Sequence, residues 1–353
     1  PAASGQVQTA PRETQAQAAG DTQTVVDMEG NTVLLPKELN SIAITSWKGA
    51  FENFVLLGRT DLITAMSDTS RYVWVRHAFP EILDIPDFGS FNDVNMEELV
   101  QLDPDIIFSP QAAADANTKM LELGLPVYVD GIQASGDPWE GNREELAAIA
   151  ELIGETEKEA AYLAWEEKWL NLVAERVADI PESERKTVYL VRNSTTETFN
   201  NQNILGMTVS LAGGINVAAD AFSDSFYSEV SAEEVVAWNP DVIFAYSVSL
   251  TNDELAGLYE EMQADTRFTG LQALETGDCY IMPHGIANWG GKLETSLGVL
   301  TMAKTLYPDL FEDISIRETA EEFYRTFVGY ELEDADWDII YRNCTGAKTL
   351  ALD

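Results

Sequence analysis

The sequence has little positive charge, and this shortage excludes one group of partners. Lys and Arg total 21 against 60 Asp and Glu among 353 residues, which gives a formal net charge of −39. A field of this sign repels nucleic acids and anionic membranes. The acidity favours solubility or adaptation to a salty medium, and an anionic ligand would need a local patch of positive charge.

Cysteine, histidine and the motifs of common enzymes are also scarce. Cys279 and Cys344 are too few for a disulfide-rich scaffold or a multi-cysteine metal centre, and the sequence leaves open whether they pair. His77 and His284 offer little capacity for general-base catalysis. No nucleophile-elbow, zinc-protease, P-loop or dinucleotide-binding motif occurs. We therefore expect a binding protein, not an enzyme, without an intrinsic cofactor.

One segment of the sequence occurs twice. Residues 94–108 read VNMEELVQLDPDIIF and residues 230–244 read VSAEEVVAWNPDVIF, with eight identical positions. The second residue of each copy is Asn or Ser, which cap helices, and glutamates follow where the first helical turn would lie. A proline then precedes a short β-branched run that is typical of a buried parallel strand. Each copy is predicted to form a helix, a turn and a strand.

The spacing of the other apolar runs predicts two α/β lobes. Further strands are expected at 41–45, 62–66, 126–129, 188–192 and 279–282. Strands that alternate with helices at this spacing favour a doubly wound, mostly parallel sheet in each lobe.

A long helix is expected to join the two lobes. The helical pattern of the middle region is interrupted near Gly154, and residues 156–179 then contain no Gly or Pro. The predicted division is a disordered tether at 1–24, an N-terminal lobe at 25–140, a helical linker at 141–181, a C-terminal lobe at 182–332 and a C-terminal extension at 333–353.

These features together resemble the helix-linked periplasmic solute-binding proteins of iron-siderophore, haem and cobalamin ABC importers. The resemblance is carried by DMEGNTVLLP at 27–36, the repeated pair, LAGGINVA at 211–218 and SLGVLTMAKTLYPDLF at 296–311. It implies a monomeric, extracytoplasmic protein, periplasmic or on the cell surface, that delivers its ligand to a membrane permease dimer. It also implies tethering through a lipidated N-terminus that is absent from this sequence.

The resemblance gives two residues of the repeat a role in docking. In cobalamin-binding members, one glutamate from each lobe docks onto arginines of the permease, and Glu97 and Glu233 stand at the equivalent positions. The structural alternative is that first-turn glutamates only favour the helix dipole, a contribution of roughly 0.3–1 kcal/mol.

The ligand is expected in the cleft between the lobes, because open α/β sheets bind ligands at the carboxyl ends of their strands. Aromatic rings there would contact a macrocycle or catechol, and arginines would bind anionic groups. The structural alternative, strongest for Trp74, is that these aromatics belong to a core. The candidate ligand-binding residues are Trp47, Arg71, Tyr72, Trp74, Arg76, His77, Phe91, Arg192, Asn193, Tyr227, His284 and Trp289.

Several cargoes fit this set of residues. A ferric siderophore ranks first, a corrinoid second, haem third and a molybdate-type oxyanion fourth. No protein metal site is assured, although His77, His284, Tyr72 and Tyr227 are possible contacts to the iron of a bound ligand. A surface-anchored scavenger or sensor of haem or metal is the alternative to an importer component.

Overall fold

The computed structural model describes residues 21–45, 50–67, 73–90, 93–130, 138–246, 252–341 and 347–351. The chain forms two compact units. The first unit contains Pro1–Ser70 and Phe79–Thr156, and the second unit contains Arg71–Ala78 and Glu157–Asp353. The five-part division given above stays a prediction.

The secondary structure alternates between strands and helices along the chain. From Thr22 to Ile153 the elements are β1 (Thr22–Val26), β2 (Thr32–Pro36), β3 (Ile42–Ile44), α1 (Ala50–Leu56), β4 (Ile63–Met66), α2 (Val73–Ala78), β5 (Gly89–Ser90), β6 (Asp93–Val94), α3 (Met96–Leu102), β7 (Ile106–Pro110), α4 (Ala114–Glu122), β8 (Val127–Asp130) and α5 (Pro138–Ile153).

The remaining elements follow from Thr156. They are α6 (Thr156–Val177), β9 (Thr187–Val191), β10 (Glu197–Phe199), α7 (Ile204–Leu211), β11 (Ile215–Asn216), β12 (Tyr227–Glu229), α8 (Ala232–Trp238), β13 (Val242–Ala245), α9 (Asn252–Ala264), α10 (Gln272–Thr276), β14 (Cys279–Ile281), α11 (Thr295–Leu306), α12 (Ile316–Phe323), a π-helix (Tyr324–Val328) and α13 (Asp334–Ile340).

Each unit has a parallel sheet with the same order of strands. Within the described residues, the first unit has the order β4-β3-β7-β8 and the second has β11-β9-β13-β14, with parallel neighbours throughout. In both sheets the spatial order is second, first, third and fourth strand along the chain. The α/β fold class with a parallel sheet in each lobe is confirmed.

The two copies of the repeat fold alike, as predicted. Helices α3 and α8 begin after Asn95 and Ser231, whose side chains accept hydrogen bonds from the backbone N–H of the residue three positions on. They end at Asp103 and Asn239, both in the left-handed region with φ of 46° and 43°. Glycine adopts this conformation most readily, and the short polar residues Asn and Asp come next. Strands β7 and β13 follow.

Both copies of the repeat have an aspartate just before the strand. Its side chain anchors the start of the neighbouring strand. Asp105 Oδ2 accepts from the backbone N–H groups of Asn40 at 2.8 Å and Ser41 at 3.1 Å. Asp241 Oδ2 accepts from the backbone N–H of Thr187 at 2.9 Å and from its hydroxyl at 3.0 Å. The same residue therefore holds the start of the first strand in both sheets.

The predicted long helix is present as α6. Gly154, with φ of +76°, separates it from α5, and α6 then runs for 22 residues. At 1.5 Å per residue this helix is about 33 Å long. α5 belongs to the first unit, whereas α6 from Glu157 onward belongs to the second.

Candidate ligand-binding and docking site

Several predicted ligand residues lie at the carboxyl edge of the sheet in the second unit. Arg192 and Asn193 directly follow β9, and His284 and Trp289 belong to the loop HGIANW (284–289) that follows β14. Tyr227 begins β12, which pairs with β10 beside this edge. These candidates therefore lie at the same edge of the sheet in the second unit, because the carboxyl ends of parallel strands share one edge.

Arg192 and Tyr227 are in direct contact. The guanidinium carbon of Arg192 lies 3.9 Å from the centroid of the Tyr227 ring, and Nη1 lies 2.7 Å from Glu197 Oε1. Asn193 takes part through its backbone, whose N–H donates to Glu197 Oε2 at 3.3 Å. Tyr227 keeps 44% of its surface exposed. Arg192 was expected to bind an anionic ligand, but its charge is already paired with Glu197.

Aromatic contacts extend from Tyr227 towards the loop after β14. The Phe199 ring lies 6.4 Å from that of Tyr227 and 5.6 Å from that of Tyr246. The Tyr246 hydroxyl then accepts from Asn288 Nδ2 at 2.8 Å. Sequence reasoning missed Phe199, Tyr246 and Asn288, although Tyr246 directly follows the repeated strand and could have been found from that position.

His284 and Trp289 are both buried. The backbone N–H of His284 donates to the carbonyl of Ile340 at 2.8 Å. The Trp289 ring is fully buried, 5.7 Å from the ring of Tyr341, and its Nε1 donates to the Tyr324 hydroxyl at 3.4 Å. Trp289 was expected to form a ligand-facing wall, and its burial favours a structural role instead.

A buried carboxylate that sequence reasoning missed fixes the HGIANW loop. Glu294, fully buried before α11, accepts from the backbone N–H groups of Ile286 at 3.1 Å and Ala287 at 2.6 Å, and from the Tyr324 hydroxyl. Burial raises the pKa of Glu294 to about 7, against these hydrogen bonds, which lower it. Gly298 of α11 lies against the Trp289 carbonyl, where a Cβ would clash.

Three of the candidate ligand-binding residues, Trp74, Arg76 and His77, lie on the short helix α2. Trp74 is fully buried, with ring centroids 4.8 Å from Tyr324 and 5.3 Å from Tyr330, and its Nε1 donates to Asp336 Oδ1 at 3.0 Å. These contacts favour the core alternative for Trp74. They also explain why this segment belongs to the second unit.

The other two candidates on α2 are less buried. His77 Nε2 lies 3.6 Å from the buried Asp336 Oδ1, and the His77 side chain is 46% exposed. Arg76 is half-buried, and its Nε has no hydrogen-bond partner among the described residues. Trp47, Arg71, Tyr72 and Phe91 lie outside the described residues. Their roles stay predictions.

No protein metal site is apparent in the part of the chain that the structure describes, where no group of three or more His, Cys, Asp or Glu side chains could hold an ion. Cys279 is a free, buried thiol, and burial raises its pKa to about 12. Cys344 lies outside the described residues.

The two glutamates at the start of each repeated helix have different roles. Glu98 accepts from Asn95 Nδ2 at 3.1 Å, and Glu234 accepts from the Ser231 backbone N–H and hydroxyl, both at 2.8 Å. These second glutamates complete the helix caps. Glu97 and Glu233, the first of each pair, are exposed. Each repeat thus presents one carboxylate that its cap does not use.

Comparison with known proteins identifies the class to which this fold and these paired helices belong. Residues 42–284 match the model of the periplasmic binding protein family, and the chain belongs to that family. Proteins of this family are solute-binding components of ABC transporters that act outside the cytoplasm, and this chain is one of them.

Three relatives carry different ligands in their names. The molybdate-binding protein MolA of Haemophilus influenzae is 24% identical over 330 residues, which cover 86% of this chain and 90% of MolA. The cobalamin-binding protein of Halobacterium salinarum is 29% identical over 44% of this chain and 41% of its own length. The Fe(3+)-citrate-binding protein YfmC of Bacillus subtilis is 20% identical over 74% of this chain and 78% of its own.

The solved structure of molybdate-bound MolA shares the fold. It matches with a TM-score of 0.77 at 21% identity and covers 88% of this chain and 99% of MolA. The expected family and fold are therefore confirmed. Among the described residues, no helix has the length and apolar character needed to cross a bilayer.

Proposed function

We propose that this solute-binding protein captures a metal complex with an aromatic or macrocyclic surface, a ferric siderophore first and a corrinoid second, with haem third. The observation that supports it is the exposed Tyr227 ring backed by Arg192, whose charge Glu197 already balances. Such a surface suits a large ligand that presents a ring face, such as a catechol or a macrocycle, better than a small anion. The complex is transported cargo, so the protein needs no resident cofactor and catalyses no reaction.

A molybdate-type oxyanion is the second candidate, because a relative whose match covers 86% of this chain is named for molybdate. An oxyanion needs hydrogen-bond donors or unpaired positive charge. Arg76 is the candidate for this role, since its Nε, although buried, has no partner among the described residues.

Protein purified from its native host distinguishes these cargoes. Its visible spectrum and metal content would be measured together after gentle purification. A broad charge-transfer band with stoichiometric iron indicates a ferric siderophore, a corrinoid band with cobalt indicates cobalamin, and a Soret band indicates haem. A colourless protein with stoichiometric molybdenum would overturn the first proposal in favour of the second.

We further propose that Glu97 and Glu233 dock the monomeric protein onto arginines of a permease dimer. They occupy the same position in the two copies of the repeat, and both are exposed. Two matched carboxylates suit a dimer that offers the same basic pocket twice. A surface scavenger or sensor with the same fold would bind cargo without this contact.

The neighbouring glutamates provide a matched control for docking. Glu97→Gln and Glu233→Gln are each expected to weaken binding to the purified permease by roughly 10-fold, because each loses a charge-assisted hydrogen bond. Glu98→Gln and Glu234→Gln remove the same charges, but glutamine preserves the cap. If all four variants weakened binding equally, only the general acidity would matter, and the docking proposal would fail.

We also propose that a lipidated N-terminus anchors the protein to the membrane. Mass spectrometry of the full-length protein isolated from its host tests it. An acylated N-terminal peptide is expected, and an unmodified one would contradict the anchor.

A further inference from the structure

Arg192, which contacts the Tyr227 ring, also forms an ion pair with Glu197. The guanidinium lies between the carboxylate of Glu197, at 2.7 Å, and the ring of Tyr227, at 3.9 Å from its centroid. The side chains of Arg192 and Glu197 are only 22% and 15% exposed, whereas Tyr227 is 44% exposed. The three groups, called here the stacked cluster, thus run from a shielded carboxylate to an accessible ring.

Backbone hydrogen bonds fix the spacing within the stacked cluster. The N–H of Arg192 donates to the carbonyl of Glu197 at 2.9 Å, which closes a tight turn between β9 and β10. The N–H of Glu197 donates to Ser194 Oγ at 3.1 Å. Strands β10 and β12 pair with Glu197 opposite Glu229 and Phe199 opposite Tyr227, which fixes the position of Tyr227 relative to the strand that follows the turn.

A second set of hydrogen bonds ties the turn to β12. The hydroxyls of Ser194 and Thr196 donate to the two carboxylate oxygens of Glu229, at 2.8 Å and 2.5 Å. The backbone N–H of Val230 donates to the carbonyl of Thr196 at 2.9 Å. The strand that carries Tyr227 therefore cannot shift relative to Arg192 without breaking several bonds.

This arrangement limits what Arg192 can do for a ligand. A guanidinium with a carboxylate on its edge and a ring against its face is already neutralised and has little exposed surface. The Tyr227 ring, by contrast, is ordered before any ligand arrives, and a preordered ring binds with a smaller loss of conformational entropy.

We propose that Arg192 is a positioning residue that, held by Glu197, presents the Tyr227 ring to the flat face of a conjugated cargo such as a corrin, a porphyrin or a catecholate. This inference rests on the proposed function and specifies how its cargo is recognised. Arg192 binds no anionic group of the ligand.

The ordering of the ring is testable without any ligand. Side-chain NMR relaxation of ¹³C-labelled tyrosine would compare the wild-type protein with Arg192→Gln, Arg192→Lys and Glu197→Gln. The Tyr227 ring is expected to be ordered in the wild type and mobile in Arg192→Gln, with Arg192→Lys and Glu197→Gln between them. Equal order in all four proteins would overturn the positioning role, whether or not any cargo binds.

Binding then tests the recognition. The probes are cyanocobalamin, haemin, a ferric tris-catecholate and molybdate. For the conjugated probe that binds, Tyr227→Leu is expected to weaken affinity by about 10-fold or more, since it loses aromatic contact. Arg192→Gln is expected to weaken it by roughly 3- to 10-fold, since the cation–π contact that orders the ring is lost. Tyr227→Phe keeps the ring and should bind like the wild type.

The outcomes separate this inference from the proposed function. A larger loss in Arg192→Gln than in Tyr227→Leu, or any loss of molybdate binding in Arg192→Gln, would show direct contact with an anion and overturn the inference. If the wild type bound molybdate alone, the proposed metal-complex cargo and its recognition by Tyr227 would both fail, and the NMR result would still decide whether Arg192 orders the ring.

Discussion

At the scale of single residues, the HGIANW loop depends on one buried carboxylate. Glu294 accepts hydrogen bonds from two backbone N–H groups of the loop and from the Tyr324 hydroxyl. Its pKa in the folded protein, about 7, lies above the ordinary 4.5. The protonated form is therefore the one that folding favours, and its contribution to stability is full below pH 4.5 and is lost as the pH rises through 7.

A glutamine at position 294 isolates this effect from the general acidity. From pH 4.5 to pH 8 the wild type should lose up to about 3 kcal/mol of unfolding free energy relative to Glu294→Gln, because glutamine does not titrate. Urea unfolding at several pH values measures it. Parallel pH profiles for the two proteins would mean that Glu294 titrates normally.

Trp74 gives a second prediction at this scale. Trp74→Phe keeps most of the buried ring but removes the N–H that donates to Asp336. We expect a loss of about 1–3 kcal/mol in the free energy of unfolding, as for other buried bonds to charged groups. His77→Gln is the control and should change stability by about 0.5 kcal/mol or less, because its exposed side chain contributes little. Thermal unfolding of both variants measures these losses. A larger loss in His77→Gln than in Trp74→Phe would contradict the prediction.

At the scale of elements, the aspartates in front of β7 and β13 hold the neighbouring strands. Asp241→Ala leaves the backbone N–H of Thr187 without its carboxylate acceptor, and Asp105→Ala does the same for Asn40 and Ser41. We expect a cost of roughly 1–3 kcal/mol for each. Hydrogen exchange should accelerate in β9 for the first variant and in β3 for the second. Faster exchange in both sheets in either variant would contradict this local role.

Much of the element structure could be predicted, because strong local patterns determine it. The strand expected at 188–192 is Thr187–Val191, and the break near Gly154 is a left-handed glycine between α5 and α6. The helix α2 was missed because Val73 and Val75 disfavour helix locally. Tertiary contacts of Trp74 with Tyr324 and Asp336 stabilise it.

The candidate site was less predictable than the fold, because its chemistry depends on partners that are distant in sequence or local in an irregular turn. Arg192 looked like an available cation, but the turn into β10 brings Glu197 against it. Nothing in the sequence shows that the HGIANW loop folds over Glu294. Periodicity predicts which face is buried, but it does not predict which polar groups meet.

At the scale of the whole molecule, the net charge of −39 is the dominant property. Like charges repel in the folded chain, and salt screens that repulsion: the Debye length falls from about 10 Å at 0.1 M to about 3 Å at 1 M. The melting temperature should therefore rise when NaCl is increased from 0.05 to 0.5 M. Each kcal/mol of relieved repulsion corresponds to a rise of roughly 2–4 °C for domains of this size. A constant or falling melting temperature would show that the charges are balanced locally.

In the proposed docking, each of the two units presents one matched glutamate to the permease. The most direct measurement is cargo uptake by cells whose only copy of the protein carries Glu97→Lys and Glu233→Lys, with cargo affinity measured on the same purified variant. We predict that uptake is lost while cargo affinity stays within about twofold of wild type, because the two exposed residues lie on α3 and α8 and their proposed role is docking, not cargo binding. Uptake at the wild-type rate would contradict docking through the repeat.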